Sequence, residues 1–327
     1  MRAVVLGATG HIGAHVVRAL LDAGHEVRAA YRREAYLKVL DGLPVERVRV
    51  DLETLQGLRE AVEGCAWVFH AAAPYPGFRD SVDEVVARGV ASIRRQLEVL
   101  RKARPGRVIF TSSAATIQRV PGRLADERDA ESWPLTSWRP AYATVKSALE
   151  HEVLRACVEG LPVVVVNPSL CVGEYDAHPF SGQALLLYAK WRMPLYLQHT
   201  FNAIYTGDVG IGQVRAAEVG RIGERYLLTG RNVTLHEFAS LVARTAGVRP
   251  PWLKIPYPVA LAGAQASEAL AWLTRTQPLL PCEAVYAARL GQRLDGSKAA
   301  RELGLPQTSL EEAVARALRW FRAHGFL

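Results

Sequence analysis

Directly behind an apolar run, Ala3–Leu6, the chain places Gly7-Ala-Thr-Gly10-His-Ile-Gly13. A strand that ends in a glycine turn and passes at once into a helix has few folds open to it. The small residues permit a tight turn and close backbone approach, and the unpaired N–H groups at the helix start attract an anion such as a pyrophosphate. The G-x-x-G-x-x-G spacing marks Gly7, Thr9, Gly10, His11, Ile12 and Gly13 as residues that would lie along a bound dinucleotide.

The first half repeats this strand-to-helix unit. Runs rich in Val, Ile and Leu at Glu26–Tyr31, Glu46–Val50, Ala66–His70, Arg107–Ser112 and Leu161–Asn167 alternate with helical patterns at His11–Ala23, Leu55–Glu63, Val82–Lys102 and Tyr142–Glu159. Continuous apolar strands need cover on both faces, which predicts an α/β fold with a doubly wound parallel sheet. Past Asn167, prolines and aromatics concentrate, and helical patterns dominate at Thr234–Ala246, Pro258–Leu273 and Leu310–His324. The chain is therefore expected to divide into a dinucleotide-binding domain over 1–170 and a smaller, mainly helical substrate-binding lobe over 171–327. Strands near Ala203–Tyr205 and Arg225–Leu228 are expected to return from that lobe to the main sheet.

Of the 40 basic residues 34 are arginine, and the net charge is +8. They are dispersed, with no basic block interleaved with aromatics, which argues against nucleic acid and for a small polyanion held by guanidinium forks. Cys65, Cys157, Cys171 and Cys282 show neither C-x-x-C pairing nor ligand spacing, so reduced thiols and no metal are expected. The first residues enter a strand at once, leaving no room for a signal peptide, and the apolar stretch Pro258–Leu273 is short and interrupted by Glu268. Both point to a cytoplasmic protein without membrane association.

At the end of the second strand stand Tyr31, Arg32 and Arg33. A carboxylate there suits the ribose hydroxyls of NAD, whereas arginine suits a 2′-phosphate. NADP(H) is thus the expected cofactor and NAD(H) the alternative, with Arg32 the first contact, Arg33 the second and Lys38 an outer one. Asp51 is placed either to accept from the adenine amino group or to cap the helix that follows. Further on, Thr111-Ser112-Ser113 closes a strand at the carboxyl edge where such folds place ligands, and Tyr142 and Lys146 share a helix face at i, i+4. Ser113 would hold a substrate oxygen and Tyr142 would exchange a proton with it. Lys146 would bind the nicotinamide ribose and lower the Tyr142 pKa. His70, at a strand end, reads as a buried, hydrogen-bonded histidine rather than a catalyst.

Glycine loop, strand-end serine and Y-x-x-x-K in this order resemble the extended short-chain dehydrogenase/reductases. Within them the chain is most similar to the NAD-dependent epimerase/dehydratase family and its dihydroflavonol-reductase-like branch. The resemblance extends over Val50-Asp-Leu52, Phe69–Pro74, Asn167-Pro-Ser169 and the closing Ser297–Gly304. It implies a Rossmann fold, a Ser113/Tyr142/Lys146 triad and an adenine contact at Asp51 and Leu52. It also implies a cofactor wall at Ala71, Ala72 and Ala73, nicotinamide contacts from Pro168 and Ser169, and a homodimer built on the helices near Val82–Lys102 and Tyr142–Glu159. Two departures stand out. Gly89–Arg94 replaces the Asn and Gly-Thr that many members carry, and Phe201 stands where nucleotide-sugar epimerases often carry an arginine for the diphosphate.

Loops above the strand ends form the substrate pocket in such folds, which singles out Tyr75, Phe78, Gln118, Tyr175, Phe180 and Tyr205. The expected activity is NADP(H)-dependent reduction of an aldehyde, ketone or dihydroflavonol-like carbonyl. The alternative is a sugar or nucleotide-sugar epimerase or dehydratase that takes hydride onto a tightly held cofactor and returns it. A dinucleotide sensor without turnover ranks third, since an intact acid and its tuning lysine have no evident purpose there.

Overall fold

The computed structural model describes residues 1–72, 76–77, 79–130, 140–179 and 182–327, leaving aside the Leu290 side chain. The first half contains β1 (Arg2–Leu6), α1 (His11–Asp22), β2 (Glu26–Tyr31), β3 (Glu46–Arg49), α2 (Leu58–Val62), β4 (Trp67–His70), α3 (Val82–Ala103), β5 (Arg107–Thr111), α4 (Ala141–Val158) and β6 (Val163–Pro168). The second half adds β7 (Leu170–Val172), α5 (Gly182–Ala189), β8 (Leu195–Leu197), β9 (Thr200–Tyr205), α6 (Thr206–Val219), β10 (Arg225–Leu228), β11 (Arg231–Thr234) and α7 (Leu235–Ala246). It closes with β12 (Leu253–Ile255), α8 (Tyr257–Thr274), α9 (Cys282–Leu290), α10 (Ser297–Leu303) and α11 (Leu310–Ala323).

Alternate residues of each central strand serve opposite layers. Ala3 and Val5 of β1, with Ile109 and Val164, pack against α1, α6 and α10, while Val4 and Leu6, with Val108 and Val163, pack against α2, α3 and α4. Seven strands in the order β10-β6-β5-β4-β1-β2-β3 make one parallel sheet, the doubly wound architecture the sequence predicts. At the second helix the sequence pattern runs ahead of the backbone. Gly57 sits at φ +76°, where a Cβ would lie 2.2 Å from the Arg49 carbonyl oxygen, so helix begins only at Leu58.

The second half is less helical than expected. β10 joins the main sheet beside β6, but Thr200–Tyr205 does not; it lies between β11 and β7 in a separate three-stranded sheet. Tyr205 and Ala203 of that strand point into a core shared with α5, α7 and α11, which a position in the main sheet would deny them. A further pair, β8 and β12, leads into α8 and α9. Among the described residues, no helix is long and apolar enough to cross a membrane.

Candidate functional site

The glycine turn between β1 and α1 is shaped by contacts that exclude side chains. Gly7 has φ +85°, with Ala72 so near that a Cβ would meet the Ala72 Cβ at 3.0 Å; a Cβ on Gly13 would lie 2.1 Å from the Gly7 oxygen. α1 follows Gly10 with no side-chain cap and no acidic residue in its first turn, which leaves its N–H dipole free for an anion. Beside it opens a cavity of about 450 Å³. Its lining comes from the glycine turn (Gly7, Thr9, Gly10), the end of β2 (Arg32, Arg33, with Tyr36), the segment after β3 (Leu52, Glu53), the end of β4 (Ala71, Ala72) and one face of α3 (Arg88, Gly89, Ser92). Arg33 donates to the Tyr36 hydroxyl at 3.1 Å. The cavity floor is a hydrogen-bonded set: His70 Nε2 pairs with Gln96 Oε1 at 2.7 Å, and the Gln96 amide donates to Ser92 Oγ and the Leu52 carbonyl. Burial holds the His70 pKa down, so the ring is neutral and structural.

Several sequence expectations land elsewhere. Asp51 is a cap, its Oδ1 accepting from Glu53 N at 2.8 Å and Thr54 N at 3.0 Å, and it is not among the cavity residues. Ile12 packs into the core, and Gly13 serves close approach within the turn. His11 is turned to the second half of the chain, with Nε2 3.0 Å from Thr206 Oγ1 and Nδ1 3.8 Å from Asp176. Tyr175 packs edge-on to His15 under the Arg18 guanidinium, and Tyr205 is buried, donating to Glu174 at 2.7 Å and accepting from Arg316 at 3.1 Å. The Tyr175 ring is held by packing, the Tyr205 ring by hydrogen bonds to residues distant in the chain. The Gln118 backbone N–H donates to the Asp129 carbonyl. Ala73, Tyr75, Phe78 and Phe180 lie outside the described residues.

Sequence reading missed Arg88 and Ser92. They sit at i, i+4 on α3, Arg88 exposed and Ser92 half-buried, along the edge of the face that buries Val85, Gly89 and Ile93. Ser92 beside the apolar stripe of α3 was the available signal, and Arg88 offered none.

Ser113, Tyr142 and Lys146 come together at the carboxyl end of β5. The Ser113 hydroxyl hydrogen-bonds the Tyr142 phenol and accepts from Ala115 N at 3.2 Å. Lys146 donates to the Thr111 carbonyl at 3.1 Å, its ammonium 6.0 Å from the Tyr142 ring centre. The expected lowering of the Tyr142 pKa is absent. Burial outweighs the hydrogen bond from Ser113, and the phenol is pushed up to about 12. Burial likewise brings Lys146 down to about 8, against an upward pull from Glu150. Nearby, Ser169 Oγ is buried without a hydrogen-bond partner among the described residues, an acceptor and donor left over for something bound.

Lys146 carries a testable cost. Below pH 8 both the folded and unfolded chains hold its proton and the burial penalty is complete. Between about 8 and the ordinary value of 10.5 the folded chain sheds the proton first, so this group's contribution to stability rises with pH there. Lys146→Met is expected to stabilise the cofactor-free protein at pH 7 by about 1–3 kcal/mol, the loss of the Thr111 contact trimming the gain. Urea unfolding at pH 7 and pH 10 checks this: the gain should shrink at the higher pH, and a variant less stable at pH 7 would refute it.

The family model for the NAD dependent epimerase/dehydratase family matches residues 3–193. The chain belongs to that family and is an NAD(P)-dependent enzyme of the extended short-chain dehydrogenase/reductase type. It is 34% identical to sterol demethylase protein B of Methylococcus capsulatus, over 100% of each chain. It is 32% identical to a putative dihydroflavonol 4-reductase of Synechocystis sp., over 99% of this chain and 95% of that one. Among solved structures, a nucleoside-diphosphate-sugar epimerase from Pseudomonas aeruginosa is 30% identical, with a TM-score of 0.82 over 100% of this chain and 99% of that one.

Proposed function

We propose that the protein is an NADP(H)-dependent reductase of a carbonyl compound. The observation that carries this reading is the arginine set at the cavity, Arg32, Arg33 and Arg88, facing a glycine turn whose helix N-terminus is uncapped. A dinucleotide fits that cradle. Its pyrophosphate would meet the first N–H groups of α1, the Gly10 N–H being taken by the Gly7 carbonyl, its 2′-phosphate the guanidinium of Arg32, and its nicotinamide end the strand edge of Pro168 and Ser169. NADPH supplies hydride when bound; the chain's own residues handle oxygen and proton. Ser113 and Tyr142, already hydrogen-bonded to one another, can both reach one carbonyl oxygen, and Tyr142 delivers the proton to it. Lys146 keeps a positive charge behind the phenol as the proton leaves. In this reading residues 1–170 hold the cofactor and much of 171–327 covers the substrate.

Phe201 favours the reductase over the nucleotide-sugar epimerase. Its ring packs against Phe238 and His199, with centres 5.4 Å apart in each pair, and offers no charge to a diphosphate. The test is cofactor choice. Purified protein should oxidise NADPH in the presence of aldehydes or ketones, whereas copurifying NAD(H) with turnover of a nucleotide sugar and no added cofactor would overturn the reading. Arg32→Ala is expected to weaken NADPH binding about 10- to 100-fold, the worth of charge-assisted hydrogen bonds to a phosphate, and to leave NADH binding within about twofold. Fluorescence titration of both cofactors checks it.

A further inference from the structure

The helix α8 is apolar on the wrong side. Of its 18 residues, Ala260, Ala264 and Ala271 are buried. The opposite face reads Val259, Ala262, Ala266, Ala269, Leu270 and Leu273 at helical spacing, exposed and without a charge. Trp272 is 72% exposed, Leu273 75%, and Leu279, in the segment that folds back along the helix, 86%. That segment is pinned by Leu280 N to Ser267 Oγ at 3.1 Å and by Cys282 N to Glu268 Oε1 at 2.7 Å, so the one acidic side chain of α8 is already engaged. A helix apolar all round is ordinarily buried, and monomeric proteins rarely leave a continuous patch of this kind to water.

The border of the patch is cationic. Exposed Arg249 and Lys254 precede the helix, with Arg249 5.5 Å over the Trp252 ring, and Arg289 lies 4.8 Å over the Tyr257 ring at its first turn. At the far end stands exposed Arg275, and Arg79 donates to the Ala271 and Trp272 carbonyls. We propose that this face docks on the surface of an anionic lipid bilayer. Leucines directed outward, tryptophans at both ends and lysine and arginine around the border are what an interfacial helix needs to bury its apolar side among acyl chains while holding lipid phosphates. A second copy of the chain is a poorer occupant, since a two-fold pairing of this face would set cationic border against cationic border.

Docking here bears on the catalytic cleft. Gln292, just beyond α9, donates to the Ala114 and Ile117 carbonyls in the segment after Ser113, and Arg119 donates to Ala287 of α9. A bilayer against α8 thus lies next to the element that joins Ser113, which suits an apolar carbonyl substrate drawn from lipid; this last step rests on the reductase reading, and the docking itself does not.

The experiment is co-sedimentation with vesicles, without cofactor or substrate, so that it stands or falls apart from the catalytic assignment. The wild type should pellet with vesicles of equal parts phosphatidylcholine and phosphatidylglycerol and remain in solution with phosphatidylcholine alone. Leu270→Glu/Leu273→Glu should lower the bound fraction by about tenfold or more with an unchanged melting temperature, and Lys254→Glu/Arg275→Glu should weaken binding to the mixed vesicles in the same direction. Wild type left in the supernatant with both vesicles, or binding by both double variants equal to that of wild type, would overturn the proposal. So would light scattering that shows a dimer dissociating in Leu270→Glu/Leu273→Glu, because the face would then belong to a second copy.

Discussion

Tyr142→Phe is expected to lower the turnover number for NADPH-dependent carbonyl reduction by about 10²- to 10⁴-fold, with NADPH affinity changed by less than about twofold. The phenol lies beside Ser113 at the end of β5, and burial pushes its pKa up to about 12, so it holds its proton throughout the working pH range. That state suits the reductive direction, in which the group must donate. The same burial makes phenolate costly once the proton has gone, and the nearby charge able to offset it is Lys146, 6.0 Å from the ring centre. Lys146 titrates at about 8. The rate of reduction should therefore decline as pH rises through about 8, and that break should vanish in Lys146→Met, whose rate is low and flat. Stopped-flow decay of NADPH absorbance reads both. Retention of more than half the wild-type rate by Tyr142→Phe would show that the proton comes from another group.

The sheet was legible because two-sided burial writes itself as unbroken apolar runs, and because the glycine turn fixes the chain's direction at the edge where ligands bind. The meeting of Ser113, Tyr142 and Lys146 was legible for a similar local reason, i, i+4 spacing on one helix and a serine at a strand end. What stayed hidden depends on burial and on distant partners. The rise in the Tyr142 pKa follows from desolvation that spacing does not report, and it reverses the effect expected from a neighbouring lysine. Tyr175 and Tyr205 have the composition of pocket residues, yet His15, Arg18, Glu174 and Arg316, far away in the chain, claim both. Arg88 and Ser92 reach the cavity only because α3 lies across the sheet beside Ala71 and Ala72. The apolar outer face of α8 was weighed in sequence only as a membrane span, for which it is too short; an interfacial role needs knowledge of which side is outside.

Removing the Glu150 carboxylate should cost stability on the order of 3–5 kcal/mol, the range for taking one partner from a buried ion pair. Glu150 is 2% exposed on α4. Its oxygens accept from Ser112 Oγ, from Asn167 Nδ2 at 2.9 Å and from Arg225 Nε at 2.5 Å, so one carboxylate joins α4 to the end of β5, to β6 and to β10. Glu150→Ala strips an acceptor from each of these groups and takes from the Arg225 guanidinium, 19% exposed, the carboxylate bound to its Nε. Glu150→Gln keeps one acceptor oxygen for the Ser112 hydroxyl while giving up the charge and turning the other oxygen into a donor, so its loss should be smaller than that of Glu150→Ala. Replacing both Glu150 and Arg225 by leucine should cost less than Glu150→Ala alone, because the guanidinium that loses this carboxylate is then gone as well. The expected order in thermal midpoint is wild type, Glu150→Gln, Glu150→Ala, and a Glu150→Ala midpoint equal to wild type would show the network to be dispensable. The same network also bears on chemistry, since Asn167 Nδ2 and Thr116 Oγ1 both donate to the Ser113 carbonyl, at 3.2 Å and 2.9 Å. Loosening it should displace the Ser113 hydroxyl from Tyr142, so that Glu150→Gln, assayed well below its melting temperature, loses turnover while keeping its affinity for NADPH.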